Sequence, residues 1–315
     1  MKPVILAFPG MGPLAAELAL MLGAEHLKMG WRHFPDGESL VTLPPDLAGR
    51  DVALLATMHN PDRLALPVRF AAETARDLGA KSVGLIAPYL AYMRQDKRFH
   101  PGEAVSAPSF AAFLQESFDW LVTVDPHLHR NRDLSQLFSI PAAHAAAAPV
   151  IAGWINENIP DAVLLGPDSE SQQWVAEVAK LTQRPHEVLR KIRRGDRAVD
   201  VSLPKNNALR QGTPVILDDI ASSGQTLVRT LTQLRALKTA PAVCVIIHAV
   251  FAGSAYEDVL AAGAARIVTT NTIPHDSNEI SVGSLLAKVT RTTGAKTWQF
   301  LLQSGPQKGV PKNTH

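Results

Sequence analysis

The sequence predicts an α/β protein with two domains, each containing a largely parallel sheet flanked by helices. Short apolar runs rich in β-branched residues alternate with longer stretches of helical spacing over most of the chain. Continuous apolar runs are typical of strands that are buried on both faces of a parallel sheet. A length of 315 residues favours two domains of ordinary size over one.

Eight apolar runs are predicted strands, and the amphipathic stretches among them are predicted helices. The strands are expected at residues 4–8, 52–57, 82–87, 121–124, 162–165, 215–217, 243–248 and 267–270. The helices are expected at residues 64–78, 106–116, 169–181, 227–237 and 285–293, followed by a strand at 297–302 and a frayed tail. A composition change at residues 139–149, where two prolines flank an alanine-rich run, indicates a domain boundary.

Composition and charge exclude several classes of function. The net charge is only +2, from 31 basic and 29 acidic residues, which argues against a nucleic-acid or membrane-surface partner. Cys244 is the single cysteine and lies in an apolar run, so a reducing compartment is favoured over a disulfide framework. No apolar run reaches the length that spans a bilayer. We therefore expect a soluble cytoplasmic protein.

The most informative segment is residues 215–227, which read VILDDIASSGQTL. A strand-like run meets Asp218 and Asp219, and a short loop then leads into a helical pattern. The backbone N–H groups at a helix N-terminus bind phosphate, and the two acids can accept hydrogen bonds from sugar hydroxyls. The loop residues suited to a phosphate are Ser222, Ser223, Gly224 and Thr226. A polar turn with a helix cap is the plain alternative, but together these features indicate a sugar phosphate.

Three further strand ends carry residues that can bind ligands. The run 121–124 leads into Asp125 and His127, and the run 162–165 leads into Asp168. In open α/β sheets ligands bind outside the carboxyl ends of the strands. Mg²⁺ needs few protein ligands and prefers oxygen, so the residues alone rank Asp125 and Asp168 above His127 as its ligands. After strand 82–87 comes the basic segment RQDKR at residues 94–98.

Two loops complete the set of candidate functional segments. Residues 191–197, KIRRGDR, form a basic cluster upstream of the proposed sugar-phosphate loop, and we expect a mobile loop that closes cations over a polyphosphate. Residues 34–38, FPDGE, form a predicted turn between Trp31 and a strand-like run at 39–43. Its aromatic ring and carboxylates can stack on adenine and accept from its amino group, although a plain β-turn also explains the pattern.

Taken in order, these motifs resemble the ribose-phosphate diphosphokinase (PRPP synthetase) family. The resemblance covers nearly the whole chain, through FPDGE, PYLAYMRQDKR, TVDPHLHR, GPDSES, KIRR, VILDDIASSGQT and IHAVF. It implies two type I phosphoribosyltransferase-like domains. The implied limits are 1–145 completed by 284–303 for the first domain, 146–283 for the second, and 304–315 for a tail.

The resemblance also implies an activity and a set of site residues. Such an enzyme transfers the diphosphoryl group of ATP to the 1-hydroxyl of ribose 5-phosphate, giving PRPP and AMP for nucleotide biosynthesis. The family's roles fall on the following positions of this chain: Lys191 and Arg193 for catalysis, His127 and Asp168 for Mg²⁺, Arg94 and Gln95 for ATP, Phe34, Asp36 and Glu38 for adenine in a neighbouring subunit, Asp218 and Asp219 for ribose, and Ser222, Ser223, Gly224, Gln225 and Thr226 for the 5-phosphate. The shared ATP site implies at least a dimer.

The chain departs from the usual family pattern in four places. Ser222 and Gln225 stand where an acidic residue and a glycine are common, and residues 169–174 read SESQQW where a glycine-rich basic loop is usual. Residues 98–106 read RFHPGEAVS where the main bacterial and animal class has a charged segment that supports regulation by phosphate and ADP. These features resemble the less regulated archaeal-type or divergent bacterial members.

Two alternative functions remain open. A non-catalytic relative would bind and regulate an active synthetase. A type I phosphoribosyltransferase would share VILDDIASSGQT but would not need a second domain bearing FPDGE and RQDK.

Overall fold

A computed structural model of the chain forms the basis of the structural description. Residues 170, 191–194 and 198–201 are described by their backbone alone. The described residues are 1–128, 133–189, 191–194, 198–201, 209, 211–294 and 298. No helix within these ranges has the length and apolar character needed to cross a bilayer.

The first half of the chain alternates strands with helices and includes one hairpin. Its elements are β1 (Val4–Ala7), α1 (Gly12–Leu22), β2 (Glu25–Leu27), β3 (Gly30–His33), β4 (Ser39–Thr42), β5 (Asp51–Leu55), α2 (Pro61–Asp77), β6 (Ser82–Ala87), α3 (Ser106–Gln115), β7 (Trp120–Val124) and β8 (Ala142–Ala145). Six strands form a sheet in the order β2-β1-β5-β6-β7-β8, in which every pair is parallel. Strands β3 and β4 pair antiparallel outside that sheet.

The second half repeats this plan. Its elements are α4 (Ala148–Asn158), β9 (Ala162–Gly166), α5 (Gln172–Thr182), β10 (His186–Val188), β11 (Lys191–Arg194), β12 (Ala198–Val201), β13 (Thr213–Ala221), α6 (Gln225–Ala236), β14 (Val243–Ala249), α7 (Ala255–Ala261), β15 (Arg266–Thr270), β16 (Asn278–Ile280) and α8 (Gly283–Thr293). The second parallel sheet has the order β10-β9-β13-β14-β15-β16, and β11 pairs antiparallel with β12. The predicted fold class, two parallel sheets with flanking helices, is confirmed.

All eight predicted internal strands occur, because their apolar runs are buried in the two sheets. Three helices lacked a clear sequence signal. Glu17 is the single charged residue of α1, which therefore shows no amphipathic spacing, α7 has only seven residues, and α4 begins in the alanine-rich run. The helix predicted from residue 169 begins as a 3-10 turn at Ser169–Ser171 and becomes α-helical only in α5. The strand predicted at 297–302 and the tail lie outside the described residues apart from Trp298.

The last helix packs against the first sheet. Helix α8 contacts α1, β7 and β8, and Nη2 of Arg291 donates to the carbonyl oxygen of Met21 at 2.6 Å. The hydroxyl of Ser281, just before α8, donates to the carboxylate of Glu17 at 2.7 Å. The chain therefore returns to its first half after completing the second sheet.

A glycine in β6 makes room for the largest side chain of the neighbouring strand. A Cβ atom built on Gly84 would lie 1.9 Å from Cε2 of Trp120. Trp120 is 2% exposed, and its ring packs edge-on against Trp298 at 6.0 Å between centroids. The packing of Trp298 against the first sheet thus depends on the missing side chain at Gly84.

We predict that Gly84→Ala lowers the free energy of unfolding by at least about 1–3 kcal/mol, because the added methyl group overlaps a buried indole. Denaturant unfolding followed by circular dichroism measures the change. Gly153→Ala is the matched control: this glycine lies in α4 with no atom within 4 Å of the added Cβ, so the variant should be equally or more stable, by up to about 1 kcal/mol. Unchanged stability in Gly84→Ala would contradict this packing.

Candidate active site

Strand ends from the two sheets face each other across a crevice. His127 follows β7 of the first sheet, and Asp219 lies in β13 of the second. Nδ1 of His127 donates to Oδ2 of Asp219 at 2.6 Å. The two side chains are 14% and 30% exposed, so the contact is partly shielded from water. The carboxyl edges of both sheets therefore meet at one place, which is where ligands bind in open α/β sheets.

A buried histidine on β14 joins the same two edges. Nε2 of His248 donates to the carbonyl oxygen of Asp125 at 3.3 Å, and Nδ1 accepts from the hydroxyl of Thr272 at 2.9 Å. The ring is 1% exposed and packs against Tyr89 at 4.9 Å between centroids. Burial lowers the pKa of His248 to about 4, so the imidazole is neutral at pH 7. One donating and one accepting nitrogen match this neutral state.

Asp125 has a second structural role at this junction. Its Oδ2 accepts from the backbone N–H of Ala147 at 2.6 Å, at the start of α4. Burial raises the pKa of Asp125 to about 7, the bond from Ala147 opposes this rise, and the charges of Glu177 and Asp219 add to it. The carboxyl group that the sequence ranked as a metal ligand thus holds the N-terminus of a helix.

Three carboxylates gather on the side of the second sheet. Burial is the largest cause that raises the pKa of Asp218 well above its usual value, followed by the charges of Asp219 and Asp168. Oδ1 of Asp218 accepts from the backbone N–H of Asp219 at 3.0 Å. The acidic pair lies within β13, which extends to Ala221, and not after the strand end as the sequence indicated. The strand therefore fixes both acids on a rigid element.

The loop after β13 brings a helix N-terminus to the same edge. Gly224 has φ +68° and caps α6, which begins at Gln225. A Cβ at Gly224 would lie 3.0 Å from Cγ2 of Val259, so both the conformation and the space favour glycine. Backbone bonds from Phe251 to Ala221 at 2.7 Å and from Ala252 to Ser222 at 2.9 Å hold this loop against the chain after β14.

The side chains of the loop are available at its surface. Ser222 and Thr226 are half-buried, while Ser223 and Gln225 are exposed. The exposed position of Gln225 shows how the loop accommodates a side chain at this point. The geometry expected of a phosphate loop, a glycine turn into a helix with flanking hydroxyls, is present.

The crevice contains a cavity of about 270 Å³. Its lining includes Asp125, His127, His144, Trp174, Glu177 and Asp219. Asp168 is half-buried, and its carbonyl oxygen accepts from the hydroxyl of Ser171 at 2.7 Å at the start of the SESQQW segment. Polar residues from both sheets and from α5 therefore surround one space.

Arg94 and Gln95 lie beyond β6, at the same edge of the first sheet. Both side chains are exposed. The charge of Arg94 acts on Tyr89, where it opposes the rise in pKa that burial causes. The side-chain oxygen of Gln95 accepts from the hydroxyl of Ser106. Arg94 is thus close enough to the crevice to influence its electrostatics.

The FPDGE segment lies elsewhere. It forms the predicted turn, between β3 and β4, in which the N–H of Phe34 donates to the carbonyl oxygen of Glu38 at 2.7 Å. The N–H of Glu38 donates to Oδ1 of Asp36 at 3.1 Å, and the guanidinium of Arg32 lies 4.4 Å from the Phe34 ring centroid. The cavity beside this turn is formed with α2 and shares no lining residue with the crevice. Within one chain, therefore, these residues do not join the crevice.

Lys191 and Arg193 lie in β11, which pairs with β12. Their side chains lie outside the described residues, as do residues 195–197 and 202–208 of the expected mobile loop. The backbone places β11 in a hairpin that follows β10, the edge strand of the second sheet.

Several crevice residues carried no usable sequence signal. His248 lies inside an apolar strand, and His144 lies in the alanine-rich run. Trp174 and Glu177 lie three residues apart on α5, and this spacing is also found in any ordinary amphipathic helix. Within the described parts of the chain, no group of three or more His, Cys, Asp or Glu side chains has the arrangement of a metal cage.

Comparisons with known proteins agree along most of the chain. Residues 4–117 match the model for the N-terminal domain of ribose phosphate pyrophosphokinase, and residues 133–285 match the model for the phosphoribosyl transferase domain. Proteins named ribose-phosphate pyrophosphokinase from Methanopyrus kandleri and Sulfolobus acidocaldarius are 32% and 30% identical to it. The alignments cover 90% and 87% of this chain, and 97% and 94% of those proteins.

A solved structure has the same fold. The crystal structure of phosphoribosylpyrophosphate synthetase from Mycobacterium smegmatis superposes with a TM-score of 0.79 at 23% identity. The superposition covers 97% of this chain and all of that chain. The two-domain arrangement, with a phosphoribosyltransferase-like second half, is therefore shared.

The pKa of Asp125 predicts how stability depends on pH. Between pH 3.8, the ordinary pKa, and about pH 7, the unfolded chain loses a proton that folded Asp125 keeps, so this group makes the fold less stable as pH rises. Asp125→Asn keeps an oxygen for Ala147 but removes the charge. Relative to wild type, the metal-free variant should gain about 1–3 kcal/mol between pH 4 and pH 7, which is below the ~4 kcal/mol of three pKa units because Asp125 keeps some exposure.

His248 acts in the opposite direction, because its lowered pKa makes stability rise from about pH 4 to pH 6.5. Denaturant unfolding of wild type and of Asp125→Asn between pH 4 and pH 7 measures the difference in their free energies of unfolding. His248 contributes equally to both proteins, so its contribution cancels in that difference. Parallel profiles for wild type and variant would contradict a raised pKa at Asp125. Asp276→Asn is the control, since that carboxylate is exposed and should not change the profile.

Proposed function

Because this chain belongs to the ribose-phosphate pyrophosphokinase family, we propose that it transfers the diphosphoryl group of ATP to the 1-hydroxyl of ribose 5-phosphate, giving PRPP and AMP. The family resemblance indicated by the motifs is thereby confirmed. The observation that carries the proposal is the contact of 2.6 Å between His127 and Asp219. It brings the expected metal-binding end of one domain to the expected ribose-binding end of the other.

We propose that ribose 5-phosphate binds at the end of β13. Asp218 and Asp219 would accept hydrogen bonds from ribose hydroxyls, because carboxylates on a rigid strand hold a diol in a fixed orientation. The loop 222–226 would bind the 5-phosphate through backbone N–H groups at the start of α6 and through its hydroxyl side chains. The αL conformation of Gly224 and the loop's hydrogen bonds to the chain after β14 support this assignment.

We propose that His127 and Asp168 hold Mg²⁺ together with phosphate oxygens and water. The donor set fits, because burial and then the charges of Asp219 and Asp168 raise the pKa of Asp218, and a divalent cation would reduce the electrostatic cost of these neighbouring carboxylates. The bond to Asp219 places the proton of His127 on Nδ1, which leaves the ligating lone pair on Nε2. Bound Mg²⁺ would supply charge neutralisation for the transferred phosphates.

The remaining residues of the ATP site come from three segments. Arg94 and Gln95 would contact ATP from the end of β6, and Lys191 and Arg193 would stabilise charge at the transferring phosphorus from the β11–β12 hairpin. Phe34, Asp36 and Glu38 would hold adenine in a neighbouring subunit. The separation of their cavity from the crevice within one chain supports this shared site, and hence a homo-oligomer of at least two subunits.

In the proposed reaction, the ribose 1-hydroxyl attacks the β-phosphorus in line with the departing AMP. The O–P bond to the ribose forms as the bond between the α-phosphate oxygen and the β-phosphorus breaks, and the hydroxyl proton passes to solvent. The protein contributes position and charge, since none of the described crevice residues is placed as an evident general base. His248 is too buried to serve, with an exposed fraction of 1%.

We further propose domain limits of 1–145 with 284–303, 146–283, and a tail at 304–315. The packing of α8 on α1, β7 and β8 supports the return of the chain to the first domain. Strand β8, the last strand of the first sheet, ends at Ala145, and the next helix, α4, packs against α5 of the second half. These two observations support a domain boundary between residues 145 and 146.

The decisive experiment incubates the full chain with ATP, ribose 5-phosphate and Mg²⁺ and measures both AMP and PRPP. The proposed enzyme forms the two products in equal amounts. A non-catalytic regulatory relative forms neither and instead changes the activity of an authentic synthetase. A type I phosphoribosyltransferase forms no PRPP from ATP but consumes added PRPP when a nucleobase is present. Either of the last two results rejects the proposal.

Lys191→Ala should lower turnover by about 100- to 1,000-fold, because it removes a cation from the site where charge builds up during transfer. Binding of ribose 5-phosphate, measured by calorimetry, should be largely kept because its residues lie on β13 and α6. Lys180→Ala is the matched control on the exposed face of α5 and should retain wild-type turnover. Normal turnover in Lys191→Ala would remove this residue from the catalytic role.

A shared ATP site makes a separate prediction. Glu38→Ala and Lys191→Ala, each inactive alone, should regain part of the activity after their subunits are exchanged, since a mixed dimer contains one site with both residues intact. The assay is PRPP formation before and after exchange, with unmixed variants treated identically as controls. If mixed oligomers form and no activity returns, adenine is bound within one subunit.

A further inference from the structure

The two halves of the chain share one topology, and this similarity identifies a second crevice. In each half a strand and helix lead to an edge strand, a hairpin follows, and the chain then crosses to the other side of the first strand. The hairpins β3–β4 and β11–β12 occupy the same place in the two orders. In the second sheet, β10 lies on one side of β9 and the later strand β13 lies on the other side. In the first sheet, β2 and β5 flank β1 in the same way, so the strand order reverses at β9 and at β1.

Such reversal points create binding crevices, because the loops from the two neighbouring strands diverge to opposite faces of the sheet. In the second half this crevice contains Asp168 and the loop before α6, which belong to the site already described. The first half has the equivalent crevice after β1 and β5, and no residue of the proposed reaction is assigned to it. The loops before α2 and α6 also have the same backbone conformation at the helix cap. Asn60 caps α2 with φ +52° and Gly224 caps α6 with φ +68°, both in the left-handed region.

A cavity of about 250 Å³ occupies this first-half crevice, hereafter called the β1–β5 cavity. Trp31 lies on β3 and packs edge-on against Phe8 at 5.7 Å between centroids, so the hairpin forms one wall. The cavity lining includes Phe8, Trp31, Thr57, His59, Arg63 and Leu64. The cavity shares no lining residue with the active-site crevice, and it shares only Arg63 with the cavity beside the FPDGE turn.

The chemistry of the β1–β5 cavity differs from that of a phosphate site. Pro61 at the first position of α2 has no backbone N–H, and Asp62 adds negative charge to the first turn. Both features disfavour an anion at this helix N-terminus. Phe8 and Leu64 are 3% and 7% exposed, so the walls are largely apolar. A ligand with an apolar, flat body fits these walls better than a sugar phosphate.

Apart from the exposed Arg63, the hydrogen-bonding groups that interrupt these apolar walls are uncharged. Thr57 is 4% exposed, and its hydroxyl has no hydrogen-bond partner among the described residues. An unsatisfied buried hydroxyl is costly, and a ligand that pairs with it recovers that cost. Burial lowers the pKa of His59, against the opposing effect of a hydrogen bond to the Thr57 backbone, so the ring is neutral at pH 7. Its buried Nδ1 has no hydrogen-bond partner among the described residues and is left for a ligand.

The volume limits the size of the ligand. At about 30 Å³ for each water, 250 Å³ corresponds to roughly eight waters, and pockets for drug-sized ligands measure about 300–1,000 Å³. The β1–β5 cavity therefore has room for one flat ring system and not for a complete nucleoside triphosphate.

We propose that the β1–β5 cavity is a second small-molecule site, which binds a flat, uncharged heteroaromatic ring of nucleobase size. The ring lies among Phe8, Trp31 and Leu64, and its edge pairs with Thr57 and His59. This site is distinct from the one that the proposed reaction uses, and its existence does not depend on that reaction.

The test is calorimetric titration of the full chain with adenine, guanine and uracil in turn. Each titration is made with and without a saturating non-hydrolysable ATP analogue and Mg²⁺, which occupy the proposed ATP site. At least one of the bases should bind in both conditions. Thr57→Val should weaken that binding by about three- to tenfold, because it replaces the hydroxyl at nearly constant volume.

Thr290→Val is the matched control, since Thr290 is fully buried in α8, also lacks a hydroxyl partner among the described residues, and lines none of these cavities. It should bind the base as wild type does. Leu64→Phe, which fills the β1–β5 cavity with a ring, should abolish binding and provides a second variant if Thr57→Val is unstable. The proposal is overturned if no base binds, if the ATP analogue displaces the base, or if Leu64→Phe binds it normally.

Discussion

The site depends on the contact between the carboxyl edges of two separate sheets. His127 at the end of β7 donates to Asp219 on β13, and His248 on β14 donates to the backbone of Asp125 at the end of β7. The second bond is partly buried, with a donor ring that is 1% exposed, and it links a strand of one sheet to the end of a strand of the other. Because buried polar groups must be paired, these bonds favour one relative position of the two edges. Substrates bound on opposite sides of the crevice would then meet at a fixed distance.

This meeting point concentrates negative charge. Burial, followed by the charges of Asp219 and Asp168, raises the pKa of Asp218, and burial raises the pKa of Asp125 to about 7. Such an arrangement costs free energy in the protein alone, and cations offset that cost. The proposed Mg²⁺ and the proposed β11–β12 cations explain why a fold would keep these carboxylates together. In the proposed site, relief of this electrostatic cost would add to the binding free energy of metal-chelated phosphates.

The repeated topology shows how one plan can serve two kinds of chemistry. In the second half, Gly224 and an open helix N-terminus make a polar loop suited to phosphate. In the first half, Pro61 and Asp62 occupy the matching turn, and Trp31 covers a mostly apolar cavity. The strands and hairpins correspond, while the residues at the loop ends differ. Ligand chemistry is therefore set by a few positions at the strand ends, and the sheets only bring those positions together.

The sequence by itself determined the eight apolar strands of the two sheets, the acidic and hydroxylated loop, and the family, because apolar runs and short motifs depend on residues that are close along the chain. Short edge strands such as β2, β10 and β16 lack such runs and were not predicted. Only the tertiary structure decided which strand ends face each other. It placed Asp218 and Asp219 inside β13, used Asp125 to hold α4, and brought His248 into the junction. It also separated the FPDGE turn from the crevice. These outcomes depend on how distant strands pack, and local sequence patterns contain no measure of that packing.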